Sequence, residues 1–374
     1  MATTTYLEPG TDATQDLVFF AAITNNASSA TDQAYTGLRS IKLFTGSPAL
    51  QAIVRTGAGV VADAGSQISF YIRRTRIPTA NETTPLFIVA TSGVLSIFTL
   101  SWGTAGTIWN RPQGATAVQG TAVLAINTWY RVSVSYYITD TTTYTCKVYV
   151  NGVLDSTTNA GTLTRTASSL VRFLGHDGIG ANESVWIDNI YVATGGASSS
   201  SQPDTGNILV TAKRPNANGT TNGFTTQIGS GGSGYGSGHS PQVNEQPLSV
   251  TNGWSIIGSG SAVTEEYNIE GMATGDVDIS AKTLVDYIGW LYSSALVAET
   301  GQIIVNNSAS NIALTTTNTL FIKAAGSTTY PAGTGTDIGE ITDTTLTTVS
   351  LFECGIIFAY LEPRRDLLLI GVGV

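Results

Sequence analysis

Alternation of apolar and polar residues is the clearest pattern in the first half of the chain. In the segment SQISFYIRR, Ile68, Phe70 and Ile72 fall on one face of an extended strand. Residues 130–138 and 144–150 keep the same period of two on either side of the polar sequence TDTTT. This spacing predicts a β-hairpin, and the Asn-Gly pair that follows it predicts a second tight turn.

Other segments of the first half carry the same signal. GLRSIKLF at 37–44 alternates, and SVWIDNIYVAT at 184–194 is typical of a further strand. TPLFIVAT and GVLSIFTLSW lie between them, and no helical period separates these segments. Many short strands at regular spacing predict a β-sandwich.

A Gly- and Ser-rich segment, GGASSSSQPDTG, divides the chain into two strand-rich regions. We predict an all-β protein of two β-sandwich domains, both of the jelly-roll, concanavalin A-like kind. The first domain takes residues 1–195, the linker takes 196–206, and the second domain with a C-terminal arm takes 207–374.

One segment of the second half is long enough to be a helix. This is LVDYIGWLYSSAL, residues 284–296. We predict a strand there, because Val, Tyr, Ile and Trp favour strands and Gly289 would weaken a helix. The later segment VSLFECGIIFAYL is apolar on both faces in its C-terminal half, which is typical of a central strand.

Composition narrows the classes of partner. Only 11% of the residues are charged, and the net charge is −9. Few cations and an acidic balance exclude nucleic acid as the expected partner, because phosphate binding needs clustered cations. The one dense basic cluster is Arg73, Arg74 and Arg76, which we interpret as the solvent face and the end of a strand.

Cysteines and the termini carry little functional signal. Cys146 and Cys354 lie far apart in strand-like segments, so buried free thiols are expected rather than a disulfide. The N-terminus lacks the basic and apolar regions of a secretion signal, and no apolar run approaches the roughly 20 residues of a membrane span. We therefore expect synthesis in a cytoplasm and no membrane partner.

The first half resembles concanavalin A-like and laminin-G-like jelly rolls. The resemblance rests on NTWYRVSVSYY, YTCKVYVNGVL and VWIDNIYV, which match the paired hairpin and the closing strand of that fold. It covers most of residues 1–195 and speaks for fold more than for function. In this family the carboxylate at the position of Asp188 anchors a neighbouring loop, so the resemblance implies a structural role for it.

The second half resembles the C-terminal jelly-roll domain of tailed-phage structural proteins. The matching segments are ILVTAKRPNANG, VNEQP and VSLFECGIIFAY. The resemblance implies a virion protein without enzymatic activity, and we expect a capsid decoration or cement protein on the head exterior. Such a protein would form a homotrimer and contact the major capsid protein.

Two other functions are compatible with the sequence. The first is a tail-fibre or receptor-binding adhesin that recognises a host-surface carbohydrate. The second is a bacterial carbohydrate-binding module, which should come with a secretion signal. Copy number per particle separates the first from a decoration protein.

Candidate metal chemistry is confined to one loop, GHDGIGANES. It contains His176 and offers Asp177 and Glu183 as hard oxygen ligands for a structural Ca²⁺. The alternative interpretation is a polar turn, since the loop lacks the ligand periodicity of a calcium-binding loop. No other cofactor is predicted.

Candidate contact residues fall in three places. The Gly-rich loop GSGGSGYGSGH carries Tyr235 and His239, and we interpret it as a surface loop or as a contact to a partner or host receptor, because it lacks the Lys-Ser/Thr of a phosphate-binding loop. An aromatic group could stack on sugar rings or fill the core. Its members are Trp102, Trp109, Trp129, Tyr71 and Tyr137.

The C-terminal segment LEPRRDLLLIGVGV is expected to be an arm that binds another subunit or the capsid. Its candidate contacts are Arg364, Arg365, Leu367 and Leu369.

No carboxylate pair has a catalytic arrangement. Glu265 and Glu266 are adjacent, so they point to opposite faces of a strand. We therefore predict that the chain is not an enzyme.

Overall fold

The computed structural model describes most of the chain, and every regular element in the described residues is a β-strand. No helix among these residues is long and apolar enough to cross a membrane. The described residues are 3–8, 22–24, 28–36, 40–44, 52–56, 65–77, 85–91, 96–112, 116–138, 144–160, 168–174, 184–198, 201–224, 226–228, 255–259, 263–274, 278–325, 327, 329–330, 337–341 and 348–362.

The first half of the chain forms two antiparallel sheets. Sheet I has the order β13-β12-β11-β6-β15-β4-β3, with β1 also paired to β15, and sheet II has the order β10-β9-β8-β7-β14-β5-β2. The strands of sheet I are β1 (Thr3–Glu8), β3 (Ser28–Ala30), β4 (Ser40–Phe44), β6 (Gly65–Arg74), β11 (Tyr130–Ile138), β12 (Tyr144–Val150), β13 (Val153–Ala160) and β15 (Ser184–Thr194). The strands of sheet II are β2 (Ala22–Thr24), β5 (Ala52–Thr56), β7 (Pro85–Thr91), β8 (Ser96–Trp102), β9 (Ile108–Pro112), β10 (Val118–Gln119) and β14 (Ser168–Leu174).

The second half also forms two antiparallel sheets. Sheet III has the order β18-β19-β26-β21-β24, with β16 also paired to β26, and sheet IV has the order β17-β20-β25-β22-β23. The strands of sheet III are β16 (Ile208–Lys213), β18 (Thr226–Ile228), β19 (Ser255–Ser259), β21 (Thr283–Ala295), β24 (Thr319–Ala324) and β26 (Thr348–Leu361). The strands of sheet IV are β17 (Pro215–Asn222), β20 (Thr264–Ile269), β22 (Glu299–Val305), β23 (Ser308–Leu314) and β25 (Ile338–Ile341).

Alternation explains why sheets I and II stack. Ile68, Phe70 and Ile72 of β6 are all buried in the core, as their period of two predicts. The ring centroid of Phe70 lies 5.3 Å from that of Phe87 in the facing sheet, and the predicted β-sandwich is confirmed. Both cysteines are buried free thiols, also as predicted.

The predicted hairpin is confirmed as β11 and β12, with Val132 opposite Val150 and Ile138 opposite Tyr144. Asn151 and Gly152 follow it with φ of 49° and 80°, which is the left-handed pair that a two-residue turn needs.

The predicted strand at 284–296 is also confirmed, as β21. Gly289 lies in this strand against sheet IV, where an added Cβ would come within 2.1 Å of a methyl carbon of Val305. Close packing between the two sheets therefore explains the glycine that the sequence places inside a strand.

The two sandwiches are joined by a buried polar contact. A bulge in β15 places Asn189 at φ 51°, and its side-chain oxygen accepts a hydrogen bond of 2.6 Å from the backbone N–H of Val210 in β16. The Asn189 side-chain nitrogen donates to the hydroxyl of Thr36 at 2.7 Å. One continuous buried cluster contains apolar residues of both halves, among them Ile190 of sheet I and Trp290 of sheet III.

The predicted linker lies against sheet I. Asp204 accepts two hydrogen bonds from the Arg131 guanidinium, at 2.7 and 2.6 Å, and the side chain of Gln67 donates to the backbone oxygen of Pro203 at 3.3 Å. Burial raises the pKa of the Asp204 carboxyl, but the hydrogen bonds from Arg131 and Ser133 outweigh it and hold the pKa below its usual range. The boundaries of the two proposed domains stay a prediction.

One element of the basic cluster is not on the solvent face, which corrects the interpretation given above. Arg74 is buried, because its position in β6 points into the sandwich. Its guanidinium lies 4.0 Å over the ring of Trp102 and donates to the backbone oxygens of Gly106 and Leu124. Arg74 therefore holds Trp102 and the loops of Gly106 and Leu124 at one end of the core, whereas its neighbour Arg73 points outward.

Candidate functional site

A row of alternating cations and aromatic rings crosses the outer face of sheet I. Lys42 of β4 is paired with Trp186 of β15, and Trp186 is paired with Arg73 of β6. Trp129 directly precedes Tyr130, the partner of Ile72, so the register places Trp129 opposite Arg73. We call these four residues, together with Tyr35, the platform.

The loop that carries Tyr35 is held by a buried carboxyl. Asp188 accepts hydrogen bonds from the backbone N–H groups of Tyr35 at 2.8 Å, Thr36 at 3.2 Å and Asn189 at 2.7 Å. This confirms the loop-anchoring role that the family resemblance implies. Burial raises the pKa of Asp188 to about 8, although the three N–H donors oppose the shift.

Tyr35 forms an aromatic corner with its neighbours. Its ring stacks on that of Tyr71 with centroids 3.8 Å apart, and it meets the ring of Trp129 edge-on at 6.0 Å and 65°. Tyr35 is 39% exposed, Trp129 is partly exposed and Tyr71 is buried. The Tyr71 hydroxyl donates to the side-chain oxygen of Asn207, and this hydrogen bond holds the Tyr71 ring in the stack.

Two cations hold the indole of Trp186. The Lys42 ammonium lies 5.0 Å from the ring centroid, and the Arg73 guanidinium lies 5.1 Å from it. Asp32 accepts a hydrogen bond of 3.0 Å from the indole N–H and pairs with Lys42 at 2.6 Å. Partial burial raises the pKa of Asp32, but these two hydrogen bonds outweigh it and leave the pKa below its usual range.

The groups of the platform suit binding. Exposed aromatic faces pack against the apolar faces of sugar rings, and a guanidinium offers planar donors to oxygen acceptors. The corner combines the exposed ring of Tyr35 with the partly exposed ring of Trp129, and Arg73 follows Ile72, the residue opposite Tyr130.

A second aromatic and cationic pair lies on the outer face of sheet II. The Arg111 guanidinium lies 5.4 Å from the ring of Trp109, and its Nε donates to the hydroxyl of Ser101 at 2.7 Å. The indole packs closely on Gly103, where an added Cβ would lie 2.7 Å from the indole nitrogen. Trp109 is therefore only partly exposed and is separate from the platform.

The predicted aromatic group divides in the structure. Tyr71 and Trp129 come together, as that group requires, whereas Trp109 lies on the other sheet. Trp102 is corrected as a contact residue: it is 4% exposed in the core, because its side of β8 faces sheet I.

The other predicted site residues lie outside the described residues, and their roles stay predictions. They are Asp177, Glu183, Tyr235, His239, Arg364, Arg365, Leu367 and Leu369. Within the part of the chain that the structure describes, no group of three or more His, Cys, Asp or Glu is placed to hold a metal ion.

Sequence reasoning missed Tyr35 and the role of Arg73. Tyr35 lies in a loop without periodicity, and only the anchoring carboxylate of Asp188 pointed to an ordered loop there. Arg73 was grouped with Arg74 and Arg76, although the period of two in β6 already separates Arg73 from Arg74 by face.

Comparison with known proteins gives similarity at the level of fold. No protein family and no curated protein sequence matches the chain. An endo-β-1,4-glucuronan lyase from the fungus Trichoderma reesei aligns with 52% of the chain and 96% of its own length, at 14% identity and a TM-score of 0.40. A carbohydrate esterase from the Shiga toxin-encoding bacteriophage phi24B aligns with 52% of the chain and 99% of its own length, at 16% identity and a TM-score of 0.40. Domain 4 of an extracellular arabinanase from Geobacillus stearothermophilus, in complex with arabinotriose, aligns with 53% of the chain and 96% of its own length, at 16% identity and a TM-score of 0.36.

These neighbours correct one prediction. The lyase and the esterase are enzymes, so the prediction that the chain is not an enzyme is contradicted. Similarity at this level shows the fold alone and assigns no activity. The neighbours are β-sandwich proteins that bind or process carbohydrates, and one of them comes from a phage.

Proposed function

We propose that the chain is a glycan-recognition protein and that the platform is its binding site. The observation that carries the proposal is the corner formed by the exposed ring of Tyr35 and the partly exposed ring of Trp129, with Tyr35 stacked on the ring of Tyr71. A preorganised aromatic corner binds with little loss of side-chain freedom, because the rings are already positioned before the ligand arrives.

Asp188 supports the proposal by the way it holds the corner. It fixes the loop of Tyr35 through backbone groups and leaves the aromatic side chain exposed. Anchoring a loop by a fully buried carboxyl costs solvation free energy, and the three N–H donors offset part of that cost. The fold therefore holds the Tyr35 loop in place while the Tyr35 ring stays exposed.

The test is binding of a glycan panel to the full chain and to Trp129→Ala and Tyr35→Phe variants. We expect Trp129→Ala to lower affinity at least tenfold, which corresponds to about 1.4 kcal/mol. Tyr35→Phe keeps the ring and should retain most of the affinity. Trp109→Ala removes a partly exposed tryptophan from the other sheet and is the matched control.

Equal binding by the wild type and Trp129→Ala, with Trp109→Ala defective, would move the site to sheet II and refute the proposal. Turnover of each bound glycan is measured in the same samples, because the fold does not exclude catalysis.

We further propose that the protein is carried on a phage virion, as a head decoration or cement protein. The resemblance of the second half to tailed-phage structural proteins supports this placement, and so does a low-charge chain built of two packed β-sandwiches. A homotrimer that contacts the major capsid protein belongs to the same proposal.

The platform favours a second placement, a tail-fibre or receptor-binding adhesin that recognises a host-surface carbohydrate. Quantitative mass spectrometry of purified particles separates the two placements. A ratio to the major capsid protein near one, or near one third, supports decoration. A few copies per hundred capsid subunits supports the tail, and absence from particles refutes both.

A further inference from the structure

We propose that the platform binds an acidic glycan, with the Arg73 guanidinium paired to a sugar carboxylate. This inference rests on the proposed glycan-binding function and adds the chemical class of the ligand. It follows from the charge balance of the platform, the position of Arg73 beside Trp129 and the geometry of the guanidinium.

The chain carries a net charge of −9, whereas the platform and its loop combine Lys42 and Arg73 with Asp32 and with the fully buried Asp188, whose oxygens accept backbone N–H groups. Asp32 pairs with Lys42 at 2.6 Å, so the Lys42 charge is compensated. No carboxylate among the described residues lies within ion-pair distance of Arg73, so its guanidinium has no ionic partner in that part of the chain.

Two other arginines on β6 and β11 are held within the fold. Arg131 is paired with Asp204 through two hydrogen bonds, and Arg74 donates to two backbone oxygens inside the core. Arg73 instead lies on the outer face, partly exposed, with its guanidinium over the ring of Trp186. An arginine stacked on an indole keeps its N–H donors in a fixed plane, so pairing with a ligand costs less side-chain entropy.

Position then links Arg73 to the aromatic corner. The register of β11 and β6 ends with Tyr130 opposite Ile72, and its continuation by one residue sets Trp129 opposite Arg73, where facing residues lie about 5 Å apart. A pyranose ring stacked on Trp129 would bring a substituent at its edge within reach of the guanidinium. The carboxylate of a hexuronic acid is such a substituent, and it accepts two parallel N–H groups from arginine.

The experiment uses a panel of hexuronate oligomers, each paired with its carboxyl-reduced neutral counterpart of the same length. We expect at least tenfold tighter binding of the acidic member, and we expect Arg73→Gln to remove that difference while neutral binding changes less than twofold. Arg73→Lys should recover only part of the preference. Raising the salt from about 50 to 500 mM should weaken acidic binding to the wild type and have little effect on Arg73→Gln.

Two further variants keep the inference open to refutation if Arg73→Gln disturbs Trp186. Asp32→Asn removes the carboxylate that competes for Lys42, and we expect it to raise acidic affinity two- to fivefold. Lys147→Gln removes one cation elsewhere on the same sheet and should change nothing.

The outcomes separate the inference from the function on which it rests. Neutral counterparts that bind as tightly as the acidic ones, and lose affinity in Trp129→Ala, would overturn the acidic ligand and leave glycan binding intact. A sulfated oligomer that binds tighter than the hexuronates would overturn the carboxylate assignment. If no member of either set binds, the proposed function fails together with the inference.

Discussion

A buried glutamate in the second sandwich should make its stability depend on pH. Glu340 of β25 lies directly opposite Glu265 of β20, and both side chains are fully buried. Ser293 donates to one oxygen of Glu340 at 2.7 Å, while the other oxygen is buried without a hydrogen-bond partner. Burial raises the pKa of Glu340 to about 8, and the nearby Glu299 adds to the shift while the Ser293 hydrogen bond opposes it.

The sign of the effect follows from proton binding. Because the folded-state pKa lies above the unfolded value, the folded state holds the extra proton, and its stabilisation is complete below the unfolded pKa and lost as pH rises to about 8. A rise from 4.5 to about 8 corresponds to ~5 kcal/mol over the whole window. About half of this, roughly 2–3 kcal/mol, falls between pH 5 and 7.

The perturbation is Glu340→Gln, which has the same shape and cannot ionise. We expect the variant and the wild type to be equally stable near pH 5, and the variant to be roughly 2–3 kcal/mol more stable at pH 7. Urea unfolding at pH 5, 6, 7 and 8, followed by tryptophan fluorescence and circular dichroism, gives the difference at each pH.

The control is Glu266→Gln on the solvent side of β20, where the carboxylate accepts from the backbone of Thr221. Asp188 titrates with the same sign in the first sandwich, so the difference between variant and wild type is the quantity to follow. A difference for Glu340→Gln that stays constant within 0.5 kcal/mol from pH 5 to 8 would refute the reasoning.

Three other predictions concern packing and burial. Asp204→Asn should destabilise the first sandwich by about 3 kcal/mol, because the buried Arg131 loses its charged partner. The same variant should be cleaved faster by protease after Ser198, and unchanged cleavage would contradict a linker that is docked on sheet I. Gly289→Ala should cost 1–3 kcal/mol in thermal or urea unfolding, since the added methyl meets sheet IV, and a neutral result would show that the sheets are less closely packed. Burial raises the pKa of Cys146 to about 12, so its thiol should react with a thiol reagent only after unfolding; rapid labelling of the native protein would contradict this.

The alternation of apolar and polar residues predicted the strands well, because each strand of a sandwich buries one face. The alternation of β6, β11 and β12 and the choice of strand for β21 follow from single residues and their neighbours. What pattern could not predict is the outer face of sheet I. Ser69 and Ser133 look like solvent positions, yet both are buried in the folded protein, and Asp204 of the predicted linker accepts a hydrogen bond from Ser133.

The candidate site shows the same limit. The sequence groups Trp129 and Tyr71 as aromatics that could stack on sugars or fill the core, and the structure brings both rings into contact with Tyr35. Tyr35 escaped because its place is set by Asp188, 153 residues away, and no local pattern carries contacts of that range. The contact role predicted for Trp102 was wrong, because the sequence does not show which face of the sheet a strand-end indole occupies until the strand register is known.

The hydrogen bond from Val210 to Asn189 predicts an order of assembly for the two sandwiches. Val210 is buried, and its N–H finds its acceptor on a bulge that exists only once β15 has paired with β6. Every strand of the first sandwich precedes β16 in the chain, so a ribosome releases that acceptor before the residue that needs it. We therefore expect the first sandwich to form during synthesis before the second packs against it.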